Sequence, residues 1–292
     1  MKTVTSAVCF PPEQLESADL LKQRISEVTL GDIDGPGAGP SRAVVPSPGP
    51  WGLWATLGLG LLIAGAFAGT QIVVGRIVFD AMVWAPEHEK LLGDPNHMET
   101  NGLFLALTTC GAAPVGVGMT CLFAWLRRGI SISDYLGLKC VPARELFRWC
   151  VALLALGVLS DGLSSLLGRP IVPNVVVDSY RTAWSPPLLW IAVVVLAPLN
   201  EEIFFRGFLF AGIRRSPLGG RGAVLLTTLL WSAIHLQYDY YGRATIFASG
   251  LLLGYARLKT DSLYPTLLMH GLMNLVATIQ AAIWVRFVVG AN

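Results

Sequence analysis

The stretch LNEEIFFRGFLF, residues 199 to 210, sets two adjacent glutamates and an arginine inside an otherwise apolar run. At bilayer depth each charged side chain costs at least about 2.5 to 3.5 kcal/mol on insertion scales, so it must face a cavity or a partner. Helical spacing divides the three. Glu202 and Arg206 are four residues apart and share a face, whereas Glu201 points about 100° away. Arg206 can neutralise Glu202, which leaves Glu201 without a partner on its own helix, the condition that suits a general base.

The surroundings make bilayer depth the right frame. The chain has 292 residues, 53% hydrophobic and only 14% charged, with a mean hydropathy of +0.59, too apolar for a soluble globular protein of this size. Apolar stretches able to span about 30 Å of hydrocarbon recur at 51–75, 102–126, 146–168, 187–213, 222–238, 244–258 and 263–286. This pattern predicts an all-α, polytopic integral membrane helix bundle of about seven transmembrane helices. Residues 1–50, ending in GDIDGPGAGPSRAVVPSPGP, read as a flexible cytoplasmic tail with one short amphipathic helix over 12–28. Residues 51–292 form the membrane domain. The tail carries no apolar h-region, so the first span is expected to target the chain.

Charge distribution sets the expected orientation. Arg127, Arg128, Lys139, Arg144 and Arg148 lie between the second and third spans. Arg214, Arg215 and Arg221 lie between the fourth and fifth, and Arg257 and Lys259 between the sixth and seventh. The loop after the first span, APEHEKLLGDPNHMET, is acidic. The positive-inside rule then puts the N-terminus in the cytoplasm and the C-terminus on the opposite side. A formal charge of +2, with no basic block interleaved with aromatics, excludes nucleic acid as a partner. The five cysteines include no CxxC and read as small buried hydrophobes. Sixteen arginines against five lysines, with abundant Ala and Gly, point to a bacterial inner membrane.

Two further spans carry polar residues. WSAIHLQY places His235 one turn after Trp231, and MHGLMN places His270 and Asn274 four apart on a common face. Counted from the cytoplasmic ends at about 1.5 Å per residue, Glu201 lies about 18 Å deep, His235 about 20 Å and His270 about 10 Å, so the three can meet in one layer. His88 and His97 fall in the acidic outer loop and read as solvated. A single buried histidine is ordinarily a hydrogen-bonded structural residue, and polar pairs also glue helices together. Glu, His, His and Asn supplied by three spans at compatible depths point instead to a shared site.

These residues resemble the CPBP family, the CAAX proteases and bacteriocin-processing enzymes also called the Abi family. EEIFFR from Glu201 to Arg206 is similar to its first motif, Glu-Glu-x-x-x-Arg. WSAIH is similar to the second, with Trp231 where the family has phenylalanine, and HGLMN from His270 to Asn274 to the third. The resemblance covers roughly residues 130–285 and implies an intramembrane endopeptidase similar to the type II CAAX prenyl endopeptidases. It also implies roles: Glu201 activates water, His235 holds and polarises that water, and His270 and Asn274 stabilise the oxyanion. Glu202 and Arg206 brace the motif. The implied partners are the lipid bilayer and a membrane-anchored or lipidated protein or peptide substrate, reached through a cytoplasm-facing cavity, and no cofactor is expected.

Alternatives stay open. Glu201, His235 and His270 form a two-histidine, one-carboxylate set able to hold zinc with a water, although no H-E-x-x-H is present. Ser249, with His270 downstream, faintly resembles a rhomboid protease. Only Asp161 lies well inside a span, so an aspartyl pair is missing, and Asp161 itself can bridge helices or line the cavity entrance. A non-catalytic membrane chaperone, immunity factor or transporter would use the polar cluster as a binding site or proton relay.

Overall fold

The computed structural model describes residues 49–83, 98 and 100–289. Residues 1–48 of the tail with the helix expected over 12–28, most of the acidic loop, and His88 and His97 lie outside the described residues.

Among the described residues the fold is helical, without a strand. The elements are α1 (Leu53–Val83), α2 (Gly102–Leu126), the short α3 (Ile132–Leu136), α4 (Ala143–Leu166), the short α5 (Asn174–Arg181), α6 (Pro186–Arg214), α7 (Gly219–Ala233), α8 (Tyr240–Thr260) and α9 (Tyr264–Trp284), prolonged by a wide turn at Val285–Val289. The seven long rods stand over the seven apolar stretches, but five are long and apolar enough to cross a membrane: α1, α2, α4, α6 and α9. With 15 residues, α7 measures about 22 Å, short of the hydrocarbon thickness. The polarity of α8 comes from Arg243, Arg257 and Lys259. Length and composition therefore support five spans, fewer than the seven expected.

The distribution of polarity is that of a bundle in lipid. Leu61, Ile72 and Ile77 of α1 and Phe147, Val158 and Leu159 of α4 are exposed, while Thr56, Thr120, Thr227, Glu202, Arg206 and His270 are buried. Five such helices with apolar surfaces outward fit an integral membrane protein. Asp161 of α4 accepts a hydrogen bond from Gln280 Nε2 of α9 at 2.9 Å, so it bridges two helices. Cys110, Cys121 and Cys150 are half-buried, but Cys140 is exposed, because the chain turns through a loop between α3 and α4 there. Cys9 lies outside the described residues.

Contacts define the two ends of the bundle. At one end Trp51 Nε1 donates to the Phe123 carbonyl at 2.9 Å, Arg127 Nε to the Gly49 carbonyl at 2.8 Å, and Leu263 N to the Gly137 carbonyl at 2.8 Å. At the other, Gly102 N donates to Thr182 Oγ1 at 2.8 Å, Arg169 pairs with Asp239 at 2.6 Å, and Ser164 Oγ meets Tyr241 Oη at 2.9 Å. The loops rich in Lys and Arg all fall at the first end.

Asp261 is the hub of that basic end. It closes α8 in the left-handed conformation, φ 51°, which Asp tolerates better than most residues. Its carboxylate pairs with Lys139, with Arg214 Nη1 at 2.6 Å and with Arg257 Nη1 at 3.2 Å. The facing Gly137 also has positive φ, 74°, and a Cβ there would lie 2.2 Å from Arg257 Nη2, so only glycine fits beside this guanidinium. Partial burial works against the charged carboxyl, but the bonds from Lys139 and Arg214 and the charge of Arg257 outweigh it and hold the Asp261 pKa down at about 2. A depressed acid contributes stability above its unfolded pKa of about 3.9, and that contribution disappears as pH falls through the folded value. The melting temperature of the wild type should exceed that of Asp261→Asn above about pH 4, and the gap should close between about pH 4 and pH 2. Because the pairs with Lys139 and Arg214 are half exposed, each of them adds about 1 kcal/mol or less. A gap that persists at pH 2 would show that charge pairing is not its source.

Candidate active site

The site is built around an irregular α6. Pro186 starts this rod, and its turns widen to five-residue hydrogen bonding at Ile191–Leu196 and again at Ile203–Leu209. Pro198 accounts for where the first widening ends. Ala197 N already donates five residues back, to Ala192 O, and the next such bond would run from residue 198 to Val193. Proline has no N–H to make it. The Val193 carbonyl is served instead by Asn274 Nδ2 of α9, at 2.7 Å. At the second wide turn Arg257 Nε of α8 donates to the Arg206 carbonyl at 2.9 Å. Two backbone irregularities in α6 thus become docking points for its neighbours, and Glu201 lies between them.

Glu202 and Arg206 are both fully buried and meet at 2.9 Å. His270 Nδ1 donates to the same Glu202 oxygen, also at 2.9 Å. A carboxylate paired with arginine is an acceptor, so the imidazole proton sits on Nδ1 and Nε2 faces outward. That Nε2 lies 3.9 Å from Glu201 Oε2. Glu201 retains 21% side-chain exposure against 0% for Glu202, which leaves it the wetter of the two carboxylates.

Trp231 joins the parts. Its Nε1 donates to Glu201 Oε2 at 2.5 Å, and the Arg206 guanidinium carbon stands 4.5 Å from the ring centroid, a cation–π contact in a desolvated setting. Both imidazoles pack edge-to-face on the indole, His235 at 5.1 Å and His270 at 5.2 Å between centroids. The indole is held from behind by α8, where a Cβ on Gly250 would lie 2.9 Å from the Trp231 ring, so glycine permits the close crossing. His235 follows the last turn of α7, two residues beyond Ala233, where the sequence had placed it inside the span. Its Nδ1 approaches the Trp231 carbonyl at 2.7 Å. A carbonyl only accepts, so this histidine also carries its proton on Nδ1 and presents Nε2.

Glu201, His235, His270 and Asn274 all line one cavity of about 620 Å³, together with Trp231, Tyr238 and Asn200. Ser249 and Asp161 do not line it. The walls come from the ends of helices remote from the basic loops: Phe104 and Thr108 in the first turns of α2, Val176 and Tyr180 in α5, and the 234–238 connection. The cavity therefore occupies the half of the bundle away from the expected cytoplasmic end, contrary to the cytoplasm-facing expectation.

Among the described residues no three His, Cys, Asp or Glu side chains are grouped to hold a metal ion. The bonds of His270 Nδ1 to Glu202 and of His235 Nδ1 to the Trp231 carbonyl leave both Nε2 atoms free, an arrangement that zinc-ligating histidines also adopt, so the histidine bonding alone does not separate the zinc set from the metal-free one.

Sequence reasoning missed the part played by one residue it had named and overlooked another. Trp231 read as a substitute for phenylalanine, yet a buried indole N–H needs an acceptor, and an intramembrane glutamate is an obvious one. Pro198, three residues before the acid, marks a freed carbonyl.

Residues 183–276 match the family model described as type II CAAX prenyl endopeptidase Rce1-like, which bears out the resemblance over that segment, narrower than the 130–285 expected. The match includes Glu201, Glu202, Arg206, Trp231, His235, His270 and Asn274. The chain is 34% identical over 85 residues to an uncharacterized 24.3 kDa protein of Escherichia coli. That alignment covers 28% of this chain and 39% of the relative's length. No solved structure matches this chain.

Proposed function

We propose that this chain is an intramembrane endopeptidase that hydrolyses a peptide bond of a membrane-anchored or lipidated substrate with water activated by Glu201. The observation that supports it best is the single cavity shared by Glu201, His235, His270 and Asn274, inside the segment that matches an endopeptidase family. The membrane domain is proposed to cross the bilayer seven times, with α7 and α8 contributing short or polar crossings and the N-terminus cytoplasmic.

The chemistry follows from the proton positions. Water donates one hydrogen to Glu201 and the other to His235 Nε2, which lacks a proton. Glu201 takes its hydrogen as the water oxygen bonds to the scissile carbonyl carbon, and the carbonyl electron pair moves onto oxygen. The resulting oxyanion needs donors in a water-poor site, where they are worth most. His270 supplies one when Nε2 is protonated. Asn274 has a second N–H beyond the one given to Val193. Collapse of the intermediate returns the electron pair, breaks the C–N bond, and passes the proton from Glu201 to the leaving amine, restoring the carboxylate.

Membranes from cells with and without this chain should differ in new protein termini near lipid-modified or transmembrane segments. The difference should withstand a strong chelator. Absence of new termini would remove the protease reading, and loss restored by added zinc would favour a metalloenzyme.

Trp231→Phe restores the family's usual ring and deletes the N–H on Glu201. A hydrogen bond to a charged group is worth about 1.5 kcal/mol or more, so cleavage of the folded variant should fall about tenfold, while the smaller ring in this fully buried position also lowers the melting temperature. Unchanged turnover would mean that the indole N–H does not orient the base.

A further inference from the structure

The cavity has a side, and that side limits what can enter it. Glu201 lies fifteen residues from Pro186 and thirteen from Arg214, about 20 Å along α6 from either end. From this midpoint the lining runs only one way. It takes the start of α2, one face of α5 (Val175, Val176, Ser179 and Tyr180), the first half of α6, the 234–238 connection and the later turns of α9. It takes nothing from the 127–142, 215–218 or 260–263 connections.

Those excluded connections form the end at which Asp261, Lys139, Arg214 and Arg257 meet, and packing closes it. Phe208, Phe210, Ile213 and Leu263 are fully buried between the cavity floor and that end, and Tyr135 stacks on Phe208 at 5.4 Å. Ten of the sixteen Lys and Arg in the described residues belong to this end and one, Arg206, to the interior. Of the five at the other end, Arg76, Arg169 and Arg181 are each paired with an aspartate. Juxtamembrane Lys and Arg in short loops set orientation, whereas acids contribute little, so the packed basic end is cytoplasmic and the cavity end is not.

We infer that the site receives its peptide from the extracytoplasmic side of the membrane: the occupant is an exported or membrane-inserted chain whose scissile segment lies in the outer half of the bilayer. For the occupant being a peptide, this rests on the protease reading above. For the side it rests on packing and charge alone. A lipidated tail presented from the cytoplasm would have to pass through the Phe208–Phe210–Leu263 layer to reach Glu201. The walls suit an extended apolar segment, with Phe67, Leu189 and Met273 offering apolar contact and Thr109, Ser179 and Gln237 offering hydrogen bonds toward the mouth.

The test uses thiol accessibility in two single-cysteine chains. One keeps the native Cys140, exposed at the basic end. The other has Gln237→Cys, at an exposed position of the cavity mouth. A membrane-impermeant maleimide applied to right-side-out vesicles should label Gln237→Cys at least tenfold faster than Cys140, and inside-out vesicles should reverse the order. Reaction of both thiols in detergent shows that each chain is labelled when accessible. The opposite order, or equal labelling of the two thiols in either vesicle type, overturns the inference. Because labelling needs no turnover, it is independent of whether Glu201→Gln abolishes cleavage. A preserved labelling pattern with unaffected cleavage would sink the catalytic reading and leave the sidedness standing.

Discussion

Glu201→Gln should lower cleavage by about 10²- to 10⁴-fold, the range that a positioned proton acceptor contributes, equivalent to about 2.7 to 5.5 kcal/mol of barrier. The substitution isolates charge from shape. Gln keeps an oxygen able to accept from Trp231 Nε1, and the group is partly exposed to the cavity, so no buried atom is orphaned. Melting in detergent should therefore shift little. Turnover assayed on purified protein, beside an unfolding curve, separates the outcomes. Normal turnover would dismiss Glu201 as the base, and a loss that tracks a large fall in melting temperature would reassign it to structure. Glu202→Gln makes a useful contrast. It sits at 0% exposure against Arg206, so its effect should appear in stability as well as in rate.

Much of this arrangement was readable before any coordinates. Apolar runs of helical length gave the rods, because in lipid the backbone must satisfy itself locally. The spacings between Glu202 and Arg206 and between His270 and Asn274 marked shared faces, because one turn of helix makes them neighbours. What could not be read depends on contacts remote in sequence. Asn274 reaches Val193 across 81 positions, and it finds a free carbonyl there only because Pro198 withholds its N–H. Asn274 is therefore tied to helix docking as well as facing the cavity, and the motif alone gives only the second. Depth along each helix was calculable, yet the open half of the bundle was not, since that follows from Phe208, Phe210 and Leu263 filling one end and the eight-residue α5 lining a cavity at the other. The shortfall of α7 and α8 as spans has a related origin. The 3.6-residue period reveals an amphipathic helix without stating how much of its surface meets lipid.

Arg206→Met should be the most destabilising single change in the site. It removes the Nη1 bond and the guanidinium paired with Glu202, leaving a carboxylate of zero exposure held, among the described residues, by His270 Nδ1. Breaking one side of a buried ion pair costs about 3 to 5 kcal/mol, a large part of the 5 to 15 kcal/mol typical of folded domains. Loss of the guanidinium from the face of Trp231 and of the long bond to the Gly250 carbonyl at 3.5 Å adds to this. The pair is nevertheless imperfect: Glu202 Oε2 and Arg206 Nε have no hydrogen-bond partner among the described residues. Its role is therefore better described as positioning His270 than as stabilising the fold, since neutral replacements of both members are often tolerated. The double variant Glu202→Gln/Arg206→Met tests this. The introduced glutamine would still offer an oxygen to His270 Nδ1, and no charge would be stranded, so at least half of the stability lost in Arg206→Met should return. Cleavage should not return with it, because His270 then loses the charged pair that fixes the orientation of its ring. Thermal unfolding in detergent and turnover on the same preparations decide the matter. A single variant as stable as the wild type, or a double variant no more stable than the single, would show that the buried charges are not coupled in this way.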